Sequence, residues 1–133
     1  MSRSRHLVGE LRAAFPEAWV NGCKDLEAVL TNDRKDRHVL AAAIRAPAQA
    51  IVTFNVRHFP EAALKPYDVE TIHPDEFLVN QFYLDDALVT NKFTEQASSL
   101  GRTVEEQLRA FHQSRALPLF TQTMADALAI KID

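Results

Sequence analysis

The run Ala50-Ile51-Val52-Thr53-Phe54 is apolar, β-branched at its centre, and stands just behind a helical pattern that Pro47 stops. A stretch this short and this apolar reads as a buried strand. A second alternating stretch, Val69-Glu70-Thr71-Ile72, follows after a loop. Strands separated by helices predict an α/β fold with a small parallel sheet flanked by helices.

Around this centre the pattern is α-β-α-α-β-β. A first helix is expected over residues 4–15, where Leu7, Val8, Leu11 and Phe15 recur at helical spacing and Pro16 ends the run. Ala18-Trp19-Val20 reads as a short strand before Asn21-Gly22, with Trp19 in the core. A short helix is expected over residues 25–30, and a better marked one from Asp33 to Arg45 or Ala46. After His73-Pro74 the character changes, and the rest of the chain predicts an all-helical C-terminal tail. Pro74 and Pro118 suit first helical positions, Gly101 suits a helix end, and Thr103-Val104-Glu105-Glu106 is a capping box. The division expected is an α/β core over residues 1–73 and a helical extension over 74–133, packed on the same domain.

Composition narrows the classes of function. The 133 residues are one domain's worth, and 47% are hydrophobic, so the chain can bury a core. Fifteen basic residues against eighteen acidic ones leave a net charge of -3, which excludes a strongly basic nucleic-acid binder and confines any such contact to a local patch. Cys23 is the single cysteine, so no internal disulfide forms, and a small packed thiol is its expected role. The longest apolar stretch, Val39 to Ile44, is far short of the ~20 residues of a membrane span. The first six residues are basic without an apolar region behind them, unlike a signal peptide. A cytoplasmic protein without membrane contact is the expectation.

One constellation carries candidate chemistry. With Asp36 on a helix, Val39, Leu40, Ala43 and Ile44 surround its direction, so the carboxylate extends the apolar stripe, while Arg34, His38 and Arg45 point to solvent. Asp33 leans the same way if the helical geometry reaches it. A carboxylate there must be paired, hydrogen-bonded or bound to a cation. A structural reading stands beside the functional one: Asp33 and Asp36 open a helix, where free N–H groups accept a D-x-x-D cap without any catalysis. Asn55, at the carboxyl end of the strand, brings a third oxygen to the sheet edge where ligands bind in open parallel sheets. Such oxygen ligands suit Mg²⁺ or Mn²⁺. Arg37, Arg57 and His58 could add phosphate contacts.

The run TNDRKDRHVLAAA (residues 31–43), followed by IVTFNVRHFP (residues 51–60), resembles the PIN-domain family. More narrowly, it resembles the bacterial VapC-like ribonucleases, the toxins of toxin–antitoxin pairs. HPDEFL (residues 73–78) and the helical tail are similar to one branch of these proteins, and the resemblance runs from about Leu7 to the region of Phe120. It implies a PIN-like fold and a metal-dependent endoribonuclease that cuts single-stranded or loop RNA and is held by an antitoxin protein. Asp36 falls on the family's third acidic position with Asp33 as its companion. Asn55 falls on the last site position, and Thr53 on the threonine before it. PIN domains open with a strand bearing the first catalytic aspartate, followed by a helix bearing a glutamate. Nothing from Met1 to Phe15 matches that strand. The resemblance therefore implies a chain without about the first third of the domain. It also implies association with another copy or a complementing N-terminal fragment. An alternative function is a catalytically incomplete module that binds RNA, an antitoxin or that missing half.

Overall fold

The computed structural model describes residues 3 to 132; Met1, Ser2 and Asp133, which the leader reading and the end of the helical tail touch, lie outside them. The described residues form two compact units. One contains the residues up to Ile51 with Asn55–Thr71, and the other contains Val52–Phe54 with the residues from Ile72 onward.

The first unit begins with α1 (Arg3–Ala14), a helix that buries none of its residues. Its Leu7, Val8 and Leu11, with Phe15 just beyond, remain exposed. The strand expected over residues 18–20 is not formed. Pro16 opens a 3-10 turn, Pro16–Ala18, because its fixed φ and missing N–H suit a first helical position. Trp19 is not a core residue: it is 38% exposed, with the Arg12 guanidinium 3.9 Å above its ring. The next helix, α2 (Lys24–Glu27), is shorter than the expected 25–30.

The helix expected from Asp33 is two pieces, a 3-10 turn over Arg34–Asp36 and then α3 (Arg37–Arg45). Its buried face carries Leu40, Ala41 and Ala43, which pack with Leu30, Ile51, Phe59 and Leu64. Cys23 packs against this cluster as a half-buried free thiol. Arg45 is exposed, as expected, and its Nε donates to the Gly22 carbonyl at 3.0 Å. After α4 (Glu61–Leu64) the chain turns back toward the second strand.

The sheet has two strands, β1 (Ala50–Val52) and β2 (Glu70–Ile72), paired in parallel. The Glu70 N–H donates to the Gln49 carbonyl, and the Thr53 N–H to the Ile72 carbonyl, both at 3.0 Å. The first strand ends at Val52 rather than Phe54, although Thr53 still contributes a ladder hydrogen bond. The fold is thus α/β with a minimal parallel sheet and a large helical share.

The second unit is helical from Pro74: α5 (Pro74–Leu84), α6 (Asp86–Ser99), α7 (Val104–Ser114) and α8 (Pro118–Ala127). The expected punctuation is present. Pro74 and Pro118 open helices, Gly101 follows α6 at φ +68, and Thr103 and Glu106 form a reciprocal capping box. Phe82, Phe93, Leu108, Phe120 and Met124 form the buried centre. Two buried polar groups could not be read from helical periodicity. Gln107 donates to the Gln96 side chain at 3.0 Å and accepts from Arg102 at 2.9 Å. Asp75, 5% exposed, accepts the Leu119 and Phe120 N–H groups, so an α5 side chain caps α8. Among the described residues, no helix is long and apolar enough to cross a membrane.

Candidate metal centre

The site grows from a loop tied at both ends. Leu30 is buried in the core of the first unit, and α3 is anchored there by Leu40. The residues between must turn within a few positions, and two contacts close that turn. The Asp33 Oδ1 accepts the Lys35 N–H at 3.0 Å, and the Arg37 Nε donates to the Asn32 carbonyl at 3.0 Å. Asp33 is therefore a helix cap, as the structural reading required, but of the 3-10 turn and not of α3.

Asp36 behaves differently. It is the N-cap residue of α3, yet its side chain makes no capping hydrogen bond. Its Oδ2 lies 2.5 Å from the His58 Nδ1 instead. The contact is an ion pair with a protonated imidazole and a hydrogen bond from the Nδ1–H tautomer otherwise.

His58 is positioned by its own turn. Val56–His58 is a 3-10 turn in which the His58 N–H donates to the Asn55 carbonyl at 2.9 Å. The next residue, Phe59, is buried in the core, and its carbonyl accepts the Thr71 hydroxyl at 3.3 Å. A second tie joins the two loops: the Asp33 N–H donates to the His58 carbonyl at 3.1 Å. Backbone and side-chain bonds thus hold residues 33–36 against residue 58.

One donor atom from each of Asp33, Asp36 and His58 lies within 4.8 Å of the other two. Asp33 is exposed and the other two are half-buried, so water and ions can reach them. Two carboxylates and one imidazole are a chemically sound set for a divalent cation. Asn32, beside Asp33, is 2% exposed, and neither polar atom of its amide has a partner. Buried amides are normally satisfied, so this pair of atoms favours a polar guest nearby. The residues present therefore fit a divalent cation.

The other sequence candidates are distributed as follows. Asn55 is exposed and caps the His58 turn through its backbone carbonyl, with no side-chain capping bond. Arg57 is exposed on the same turn. Arg37 is half-buried and already spends its Nε on the loop closure. Thr53 is a residue of the second unit, where its N–H extends the strand ladder. The other described histidines have separate settings. His6 pairs with Glu10 at 3.1 Å, His73 accepts the Asp75 N–H at the start of α5, and His38 and His112 are exposed. Asn32 was not anticipated; its type is polar, and only the tertiary packing buries it.

Against known proteins, no family model and no solved structure matches this chain. A curated protein of Mycobacterium tuberculosis named "Putative ribonuclease VapC50" is 54% identical over 67 residues. The aligned stretch is 50% of this chain and 40% of that protein, so the chain covers less than half of its relative's length. Its resemblance to the VapC-like ribonucleases thus stands on a curated relative as well as on its own two motifs.

Proposed function

We propose that this chain carries the metal site of a PIN-type, metal-dependent endoribonuclease, the toxin of a bacterial toxin–antitoxin pair, which hydrolyses RNA phosphodiesters. The observation that carries the reading is the meeting of Asp33, Asp36 and His58 within 4.8 Å, in a chain similar to a protein named as a ribonuclease. Asp36 and Asp33 hold the ion, with Asn55 completing the site. A divalent cation bound there, Mg²⁺ or Mn²⁺, supplies charge to offset a phosphodiester and lowers the pKa of water. Asp36 does not cap α3, and its Oδ2 faces the His58 imidazole instead. Exposed Arg57 holds the RNA backbone. Arg37 adds charge beside the site while bracing the loop through Asn32. An antitoxin protein is the implied partner, with a second copy of the chain or a complementing N-terminal fragment as a further one. We keep residues 1–73 as the PIN-like core and 74–133 as its helical extension.

Cleavage of a structured RNA in the presence of Mn²⁺ tests the reading. Wild type should cut and Asp36→Asn should not. Equal cutting by both would overturn it.

A second reading, a binding module without catalysis, draws on one observation. Helix α1 leaves Leu7, Val8 and Leu11 exposed, and Phe15 with them, an apolar stripe of the kind that marks interaction sites. RNA bound without cleavage by both proteins would favour this module.

A further inference from the structure

The donor set at Asp33 and Asp36 includes one nitrogen base, His58. This inference rests on the nuclease reading of the site and deepens it.

The imidazole is not a passing neighbour. Its backbone N–H is bound by Asn55, its carbonyl by the Asp33 N–H, and its Nδ1 faces the Asp36 Oδ2 at 2.5 Å. The buried Phe59 anchors the following residue. Four restraints therefore hold one nitrogen base at a pair of carboxylates. A plain hydrogen bond to Asp36 would need neither the Asp33 side chain nor the tie from Asp33 to the His58 backbone. Yet a donor atom of Asp33 also lies within 4.8 Å of both partners.

Mg²⁺ takes oxygen ligands almost exclusively, while imidazole nitrogen suits Fe, Ni, Cu and Zn ions. We infer that a bound ion displaces to solvent the proton between the Asp36 Oδ2 and the His58 Nδ1, making Nδ1 a direct nitrogen ligand beside Asp33 and Asp36, so that the site favours a first-row transition ion over Mg²⁺, with Mn²⁺ as the spectroscopic probe. The basis is the three-residue donor cluster together with the backbone bonds that fix His58 in it. Asp36 holds the imidazole through that hydrogen bond in the absence of the ion and shares the ion with it once the proton has left.

Electron spin-echo envelope modulation of Mn²⁺ bound to the full chain reads the ligand directly. Wild type should show ¹⁴N coupling of a ligated imidazole, replaced by a ¹⁵N signature when the histidines are ¹⁵N-labelled. His58→Gln should lose the coupling and weaken Mn²⁺ binding roughly 10- to 100-fold in calorimetry, the range seen when groups supporting a metal are removed. Mg²⁺ affinity should change by less than about threefold, since that ion gains little from nitrogen. Labelled wild type alone decides the question if His58→Gln fails to fold. Mn²⁺ that binds, is lost in Asp36→Asn and shows no nitrogen coupling overturns the inference and leaves the nuclease reading intact. Absence of Mn²⁺ binding in wild type also overturns it. The nuclease reading then stands or falls separately on RNA cleavage by wild type against Asp36→Asn, with Mg²⁺ as the ion.

Discussion

The Asp36 carboxylate and the His58 imidazole, 22 residues apart in sequence, meet at 2.5 Å. Asp36 occupies the N-cap of α3, where its side chain would ordinarily bind a free N–H, and it turns to the imidazole instead. The lost cap is a stability sacrifice of about 0.5–2 kcal/mol on the scale of typical caps. Replacing Asp36 with Ser should recover part of that stability by capping α3, raising the melting temperature or leaving it level while abolishing RNA cleavage. A drop of several degrees would mean that the His58 contact holds the loop rather than serving the site.

Arg37 and Arg57 should separate by their readouts. Arg57→Ala should weaken RNA binding and reduce the salt slope of log K by about one, with thermal stability unchanged. Arg37→Ala should also lower stability by about 1 kcal/mol, because its Nε holds the Asn32 carbonyl at 3.0 Å. Binding at several salt concentrations, paired with thermal melts, checks both.

Asp75 is the structural carboxylate of the second unit. Its two oxygens accept Leu119 N–H at 2.9 Å and Phe120 N–H at 2.7 Å. Asp75→Ala leaves those donors without a partner and should cost about 2–4 kcal/mol, combining a lost cap with a buried unsatisfied group. Hydrogen exchange at Leu119 and Phe120 should accelerate more than exchange in α6. Unchanged exchange at those two amides would refute the assignment.

Glu106 gives a pH prediction. The Thr103 backbone N–H bonded to its carboxylate, then the Thr103 side chain, hold its pKa below the ordinary glutamate value. A depressed folded-state pKa means that the cap stabilises α7 above the unfolded-state pKa. That contribution fades as pH falls through the lowered value. An NMR titration should give a Glu106 midpoint below that of free glutamate, with the Thr103 amide shift following it. Thr103→Gly should move the midpoint up.

Leu108 is fully buried among Phe82, Phe93 and Met124. Leu108→Ala should cost about 2–5 kcal/mol, the range for a leucine removed from a packed core. Chemical denaturation checks the magnitude; a change under about 1 kcal/mol would mean that the helical unit is loosely packed.

Local chemistry was enough to read the helical tail. Proline, glycine and a T-x-x-E box act within a few residues, so Pro74, Pro118, Gly101 and the Thr103–Glu106 pair were legible in order along the chain. The same holds for Asp33 as a cap and for the strand beginning at Ala50. Ala18-Trp19-Val20 shows where local preference stops. A strand is a pairing between distant segments, and the proline turn at Pro16–Ala18 took precedence there.

The site divides along the same line. Residue types near residues 33, 36 and 55–58 marked the chemistry, because carboxylates on an apolar stripe demand a partner. Which partner Asp36 takes, and that Asn32 is buried while Asp33 is exposed, depend on how two loops anchored by Leu40 and Phe59 are folded together. Those contacts span more than twenty residues and have no periodic signature. Tertiary packing alone decided them, as it decided that Asp75 would cap α8 across 45 positions.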